Sequence, residues 1–273
     1  MTARPDHPQH AAASDPQSSA GSGVWVVLPT YDEADNLGPI SSAILAVLPA
    51  ATLLVVDDNS PDGTGRLADG LAAADARIRA HHRAAKEGLG RAYLDGFRVA
   101  IDGAAAIVVQ MDADFSHDPA ILPALVGPIE RDEADLVIGS RYVRGGGVSD
   151  WPLARRLVSR AGSVFARTVL RLGPHDLTGG FKAWRAATLD SLPFDGIHAG
   201  GYVFQIEMTF RASRANARIR ETPIVFRDRR VGQSKMSRRI IVEALLVVVQ
   251  LWFEELRGWL GSRRRRDDGG SGN

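Results

Sequence analysis

The sequence predicts an α/β protein: a three-layer α/β/α sandwich around a mostly parallel central sheet. Three observations predict it. Short apolar runs alternate with longer segments of helical spacing. The runs are rich in Val, Ile and Leu on both alternating faces, as in strands covered by helices on each side. Acidic residues gather just past the ends of these runs, where a parallel sheet meets its ligands.

Each element follows in order. Residues 1–23 are rich in Ala, Ser, Pro, His and Gln and lack the apolar stretch of a signal peptide, so a disordered tail is expected. Val24 to Leu28 is a buried strand, with Pro29-Thr-Tyr-Asp-Glu33 as its exit loop. Asn36 to Leu48 has helical spacing. Thr52 to Val56 is the second strand, ending in Asp57-Asp-Asn-Ser-Pro-Asp-Gly63. A helix over Thr64 to Ala74 and a strand over Ile78 to His82 follow. Lys86-Glu-Gly-Leu-Gly90 opens a helix that runs to Ala100. Ala106 to Met111 is the fourth strand, Pro119 to Ile129 a helix, and Asp135 to Gly139 the fifth strand. Right-handed crossovers then set the carboxyl ends on one rim, with Tyr31, Glu33, Asp57, Asp58, Asp112 and Asp114. The second half is less regular. Helices are expected over Arg155 to Leu172 and Tyr202 to Ala215, a late strand over Pro223 to Phe226, and a long closing helix over Met236 to Leu260. Thr178 to Lys182 reads as a glycine-bearing loop leading into Ala183-Trp-Arg185.

Composition bounds the chemistry. The 273 residues are 45% hydrophobic and 24% charged, enough for a sizeable core. There is no cysteine, which excludes disulfides and thiolate metal sites. Net charge is +1, yet eleven Lys/Arg against four Asp/Glu lie between Arg227 and Arg266. That basic block suits an anionic surface such as lipid headgroups. Its confinement to one end argues against nucleic acid as a partner.

Asp112-Ala-Asp114 carries the most chemistry. Two carboxylates one residue apart at a strand end can turn toward one point, where they repel unless a cation sits between them. Hard oxygens suit Mg²⁺ or Mn²⁺ held against a diphosphate; the alternative is two solvated acids opening a loop. Asp57 and Asp58 could bind a ribose hydroxyl or a base edge, or could serve turn chemistry. Lys86 to Gly90 could present N–H groups and a cation to an anion, or simply open a helix. The glycine fingerprints of dinucleotide and P-loop sites are absent. Arg141 follows the fifth strand, and Arg155 and Ser159 share a helix face. Together they could bind a phosphate; otherwise Arg155 belongs to a solvated face. Arg229 to Lys235 is a phosphate-covering loop or a basic linker. In the closing helix Arg239, Glu243, Gln250, Glu254 and Arg257 fall in one narrow arc, and almost everything else from Ile240 to Phe253 is apolar. Such a helix belongs in a core, in an oligomer interface or in a membrane interface, flanked by Trp252, Trp259 and Arg263 to Arg266.

Assembled in order, these motifs resemble the polyprenol-phosphate (dolichol-phosphate) mannosyltransferases, inverting glycosyltransferases of family 2 with a GT-A fold. The resemblance covers Val24 to Lys235 and also rests on Asp112-Ala-Asp-Phe-Ser-His117, Ser140-Arg-Tyr-Val143, Asp176-Leu-Thr-Gly-Gly-Phe-Lys182, Gln205-Ile-Glu207 and Gly232-Gln-Ser-Lys235. It implies transfer of mannose from GDP-mannose to a polyprenyl phosphate. Pro29, Tyr31, Glu33, Asp58, Lys86, Gly88, Asp112 and Gln205 would bind the nucleotide sugar. Asp112 and Asp114 would hold Mg²⁺ or Mn²⁺; Arg141, Arg155 and Ser159 would hold the lipid phosphate; Arg229 and Lys235 would cover the phosphates. Asp114, Arg141 and Arg155 would carry catalysis. Some relatives have Gln where this chain has Ser116, and many carry C-terminal transmembrane helices that are not seen here. The expected organisation is therefore a tail (1–23), a catalytic domain (24–235), an amphipathic interface helix (236–262) and a basic tail (263–273). The protein would work peripherally on the cytoplasmic membrane face, with or without an integral membrane partner. The rival readings are transfer of glucose from UDP-glucose, or a non-catalytic nucleotide-sugar binder.

Overall fold

A computed structural model describes residues 19–149, 151–197, 201–227 and 245–257. The elements are β1 (Val24–Thr30), α1 (Ala34–Val47), β2 (Thr52–Asp57), α2 (Thr64–Ala74), β3 (Ile78–His82), α3 (Leu89–Asp102) and β4 (Ile107–Gln110). After a 3₁₀ turn (Pro119–Ile121) come α4 (Leu122–Glu130), β5 (Leu136–Ser140), β6 (Gly147–Val148) and α5 (Leu153–Val169). The chain continues through β7 (Lys182–Arg185), α6 (Ala186–Asp190), α7 (Gly201–Arg214), β8 (Ile219–Pro223) and β9 (Val225–Phe226). Residues 245–257 form a last helix, α8.

Seven strands form one sheet in the order β3-β2-β1-β4-β7-β5-β8. Pairing is parallel except at β7, which is antiparallel to both β4 and β5. The sheet thus matches the expected mostly parallel architecture. Alternation along β1 shows why there are three layers. Val24, Val26 and Leu28 face a core built with α1 and α4, including Leu37, Ile40, Leu125 and Ile129. Trp25 and Val27 face the opposite core, with Tyr93 and Phe97 of α3 and Phe204 and Met208 of α7. Helix α3 lies close on the sheet because Gly96 has no side chain: a Cβ there would stand 2.4 Å from Val27 Cγ1.

The structure departs from the sequence reading at three places. Lys182–Arg185, read as a loop and its continuation, is a strand inside the sheet, between β4 and β5. Only four residues long and mixed in polarity, it carries no periodicity to recognise. The late strand divides into β8, which edges the main sheet, and β9, which pairs with β6 in a separate two-stranded ribbon. Residues 19–23, assigned to the tail by composition, form a turn whose Ala20 carbonyl accepts from Ala50 N at 2.9 Å. Arg229, Lys235, the 236–244 and 258–262 parts of the closing helix and the 263–273 tail lie outside the described residues.

A third core cluster joins Ala166 of α5 and Leu170 just past its end to Ile206 and Phe210 of α7 and to Val248 and Leu251 of α8. Glu255 adds an ion pair to Arg214 at 2.7 Å. The other sides of α8 present Leu245, Leu246, Val249, Trp252, Phe253 and Leu256 to solvent, and α5 exposes Leu153, Leu157 and Val164. These three α5 positions recur at helical spacing, within about 40° of one another around the axis. Among the described residues no helix is long and apolar enough to cross a membrane.

Candidate active site

The loops after β1, β2 and β4 meet on one rim, and each contains a non-glycine residue at positive φ: Asp32 (59°), Asn59 (59°) and Phe115 (61°). Asp and Asn tolerate this conformation, whereas a Phe does not without cost. At Phe115 the chain reverses immediately after Asp114. Ser116 N then donates to Asp114 Oδ1 at 3.0 Å. Asp112 N donates to His117 Nδ1 at 3.1 Å, closing the loop on itself. His117 Nδ1 is therefore the acceptor of that ring. Burial pushes the imidazole below its ordinary pKa, against the opposing pull of Asp112 and Asp114.

Asp112 Oδ1 accepts from Tyr93 OH of α3 at 2.9 Å. Burial, reinforced by the Asp112 charge, raises the Tyr93 hydroxyl well above its ordinary value, so the phenol stays a donor. Asp114 is buried, and next to it Ser116 Oγ is buried with no hydrogen-bond partner among the described residues. Two carboxylates and an orphaned hydroxyl are hard oxygen donors. Among the described residues no group of three or more His, Asp or Glu forms a metal cage. That donor set fits Mg²⁺ or Mn²⁺ completing its shell with phosphate and water rather than with protein.

The β1 and β2 loops form a second wall. Pro29 is buried as the penultimate residue of β1, opposite Val56. Lys86 Nζ lies 3.1 Å from the centroid of the Tyr31 ring, a cation–π contact. Glu33 accepts from Asn36 Nδ2 at 2.8 Å, and its N donates to Thr64 Oγ1 at 3.0 Å. Asp58 is engaged by the protein at both oxygens: Arg83 pairs with one, and Gly88 N donates to the other at 3.2 Å. Gly88 has φ 98°, the left-handed conformation that lets this N–H turn back toward β2 at the start of α3. Asp57 accepts from Thr30 Oγ1 and Ser60 Oγ, which holds the second loop against the first.

The arginines gather around Trp151. The Arg155 guanidinium carbon stands 3.9 Å from its ring centroid and that of Arg141 stands 5.5 Å away. Arg141 forms a bidentate pair with Asp176 and donates to Thr178 Oγ1 at 2.8 Å. Burial alone would raise Asp176; the Arg141 charge and hydrogen bonds outweigh it and hold the carboxyl below its ordinary range. Ser159 accepts from Tyr142 OH at 2.7 Å, so the two expected phosphate-binding elements are joined directly. Rings connect this cluster to the acidic loop: His117 lies against Phe226 (centroids 5.5 Å apart), and Phe226 against Trp151 (5.4 Å).

Tyr93, His117, Asp176, Arg83 and Lys182 were not among the site residues expected from sequence. His117, Asp176 and Lys182 stand inside motifs already singled out, so their place in the chain was the available signal. Tyr93 and Arg83 carry none, since a helix tyrosine and a loop arginine belong to any fold.

Known proteins resemble this chain in sequence and fold. Residues 25–192 match the family described as Glycosyl transferase family 2. The chain is 44% identical over 242 residues to an undecaprenyl-phosphate mannosyltransferase of Micrococcus luteus, covering 89% of this chain and 98% of that protein. It is 43% identical over 226 residues to a polyprenol monophosphomannose synthase of Mycolicibacterium smegmatis, covering 82% and 85%. The fold matches glucosyl-3-phosphoglycerate synthase from Mycobacterium tuberculosis, solved with Mn²⁺, uridine diphosphate and glucosyl-3-phosphoglycerate, with a TM-score of 0.59, 24% identity and coverage of 85% and 81%. The sheet, the acidic rim and these matches agree: the chain belongs to glycosyltransferase family 2 and has a GT-A-like fold.

Proposed function

We propose that the protein transfers mannose from GDP-mannose to a polyprenyl phosphate with inversion, giving polyprenyl phosphate β-mannose and GDP. The observation that carries this reading is the ring path from His117 through Phe226 to Trp151. It sets a paired-carboxylate loop, suited to a metal-bound donor diphosphate, beside an arginine cluster suited to a phosphate acceptor. The names of the relatives at 43–44% identity point to the same acceptor class.

In this reading Pro29, Tyr31, Glu33, Asp58, Lys86, Gly88, Asp112 and Gln205 form the donor side. Asp112 and Asp114, with the Ser116 hydroxyl, would hold the divalent ion. When bound, that ion neutralises charge on the departing diphosphate. Arg155 and Ser159 meet the acceptor phosphate together with Arg141, which Asp176 fixes in place. Arg229 and Lys235 would close over the phosphates. A phosphate acceptor is already ionised near neutral pH, so no side chain has to remove a proton. Catalysis then consists of aiming the phosphate oxygen at the anomeric carbon and stabilising charge as it moves.

The tail of the acceptor stays in a bilayer, so the protein works from its surface, on the cytoplasmic face, alone or beside an integral membrane partner. The apolar residues that α8 and α5 present to solvent support this reading. The test is an assay of the full chain with radiolabelled GDP-mannose or UDP-glucose, polyprenyl phosphate and Mg²⁺ or Mn²⁺. Mannolipid from GDP-mannose is the expected product. Glucolipid from UDP-glucose would reassign the donor, and binding of either without transfer would overturn the enzyme reading.

A further inference from the structure

A chain of three buried side chains ends at Gln205 of α7. Trp184 Nε1 of β7 donates to Gln110 Oε1 at 3.0 Å. An indole nitrogen only donates, so it fixes the Gln110 carbonyl toward itself. Gln110 Nε2 must then face Gln205 and donates to its Oε1 at 2.9 Å. The end of the chain is Gln205 Nε2, buried and without a hydrogen-bond partner among the described residues, on a residue only 2% exposed. The backbone of the same residue is held as well: Lys182 Nζ donates to Gln205 O and to Thr209 Oγ1, each at 2.9 Å. Gln110 and Lys182 are register partners across β4 and β7, so two adjacent strand positions grip one helix residue.

The unpaired amide faces a small gap at Gly180. A Cβ built there would stand 3.5 Å from Gln205 Nε2, 3.7 Å from His117 Cε1 and 3.8 Å from Asp112 Oδ1. A donor amide and an acceptor carboxylate therefore flank one point. A hydroxyl uses both, because it accepts and donates; an ionised phosphate oxygen only accepts and has no proton to give the carboxylate.

We infer that Gln205 Nε2 donates to a sugar hydroxyl of the nucleotide donor beside Asp112, and that Gln110 and Trp184 are positioning residues that fix the amide in that orientation. This deepens the proposed mannosyl transfer and rests on it.

The test is calorimetric titration of the full chain with GDP and with GDP-mannose, each with Mn²⁺. Gln205→Ala should weaken GDP-mannose about three- to tenfold, the size of one net hydrogen bond, and leave GDP unchanged. Gln110→Met should move GDP-mannose the same way by freeing the Gln205 amide to rotate. Among deoxy-mannose analogues of the donor, the one lacking the contacted hydroxyl should bind wild type and Gln205→Ala alike. Equal weakening of GDP and GDP-mannose would overturn the assignment and leave a structural role. Should Gln205→Ala fail to fold, Gly180→Ala decides the matter, because its methyl meets only ordinary van der Waals distances and fills the gap. Unchanged GDP-mannose affinity in that variant overturns the inference. Wild-type protein that binds GDP but shows neither affinity for GDP-mannose nor turnover of it would overturn the function itself, and the inference with it.

Discussion

Arg141 and Asp176 form a buried bidentate ion pair, with Nε to Oδ2 and Nη2 to Oδ1 both at 2.7 Å. Their side chains are 4% and 0% exposed. Arg155, by contrast, rests on the Trp151 face and is only half-buried. The two arginines, equivalent in the sequence, therefore differ in what their loss does.

Arg141→Ala strands a buried carboxylate and should cost about 3–5 kcal/mol of stability. Equilibrium unfolding in urea measures it. A loss under about 1 kcal/mol would show that water or another cation reaches Asp176.

Arg155→Ala should keep near-wild-type stability and lose the acceptor instead. One charge-assisted contact is worth roughly 1.5–3 kcal/mol, or about ten- to a hundredfold in KM for polyprenyl phosphate. Steady-state kinetics with each substrate varied separately decides it. A change confined to GDP-mannose would move Arg155 to the donor side.

Asp114→Ala should abolish turnover and sharply weaken metal-dependent GDP binding. Chelator-treated wild type should behave alike and recover with Mn²⁺ or Mg²⁺. A variant that keeps a near-normal rate after chelation contradicts the metal assignment.

Lys182 is fully buried, and burial brings its ammonium down to about 7, with Asp176 opposing and Arg141 adding to the fall. A lysine depressed in the folded state binds its proton more tightly when unfolded. It therefore destabilises the fold most below pH 7, and this cost is relieved as pH rises from about 7 toward the unfolded lysine value. Relative to Lys182→Met, wild-type stability should climb between pH 7 and 9.5 by up to about 1.4 kcal/mol per pH unit. Parallel stability–pH curves for the two proteins would contradict it.

Full-length protein should sediment with anionic liposomes in a salt-sensitive way, and truncation after Arg239 should abolish this. Each basic residue near such a surface contributes about 1 kcal/mol. Leu246→Glu with Phe253→Glu alters only exposed α8 positions and should release the protein without unfolding it. Retention of both variants would favour α8 as a packing or oligomer element.

Much of the fold was legible because β1, β2 and β4 are continuous apolar runs and the helices between them keep their spacing. The acidic rim was legible for the same reason: once a strand end is located, Asp112 and Asp114 have only one place to be. The strand Lys182–Arg185 was not, because its partners β4 and β5 are distant in sequence and its own four residues alternate no pattern. Partners invisible to sequence, such as Tyr93 on Asp112 or Arg83 on Asp58, arise from tertiary packing alone. Arg141 was expected to hold the lipid phosphate with Arg155 and Ser159, and its buried pair with Asp176 is an addition to that expectation.

The reversed strand β7 also bears on the unfinished chain. The segment through β4 can pair β3, β2 and β1 early, yet its β4 edge stays open until Lys182–Arg185 has emerged and inserted. Such an open edge invites pairing with another chain, so nascent or truncated forms ending before residue 182 are the aggregation-prone ones. Because Trp184 and Lys182 ride on that same strand, the grip on Gln205 closes only when the sheet does. Where Gln205 meets the donor sugar as proposed, a chain that lacks β7 has no finished sugar pocket with which to act.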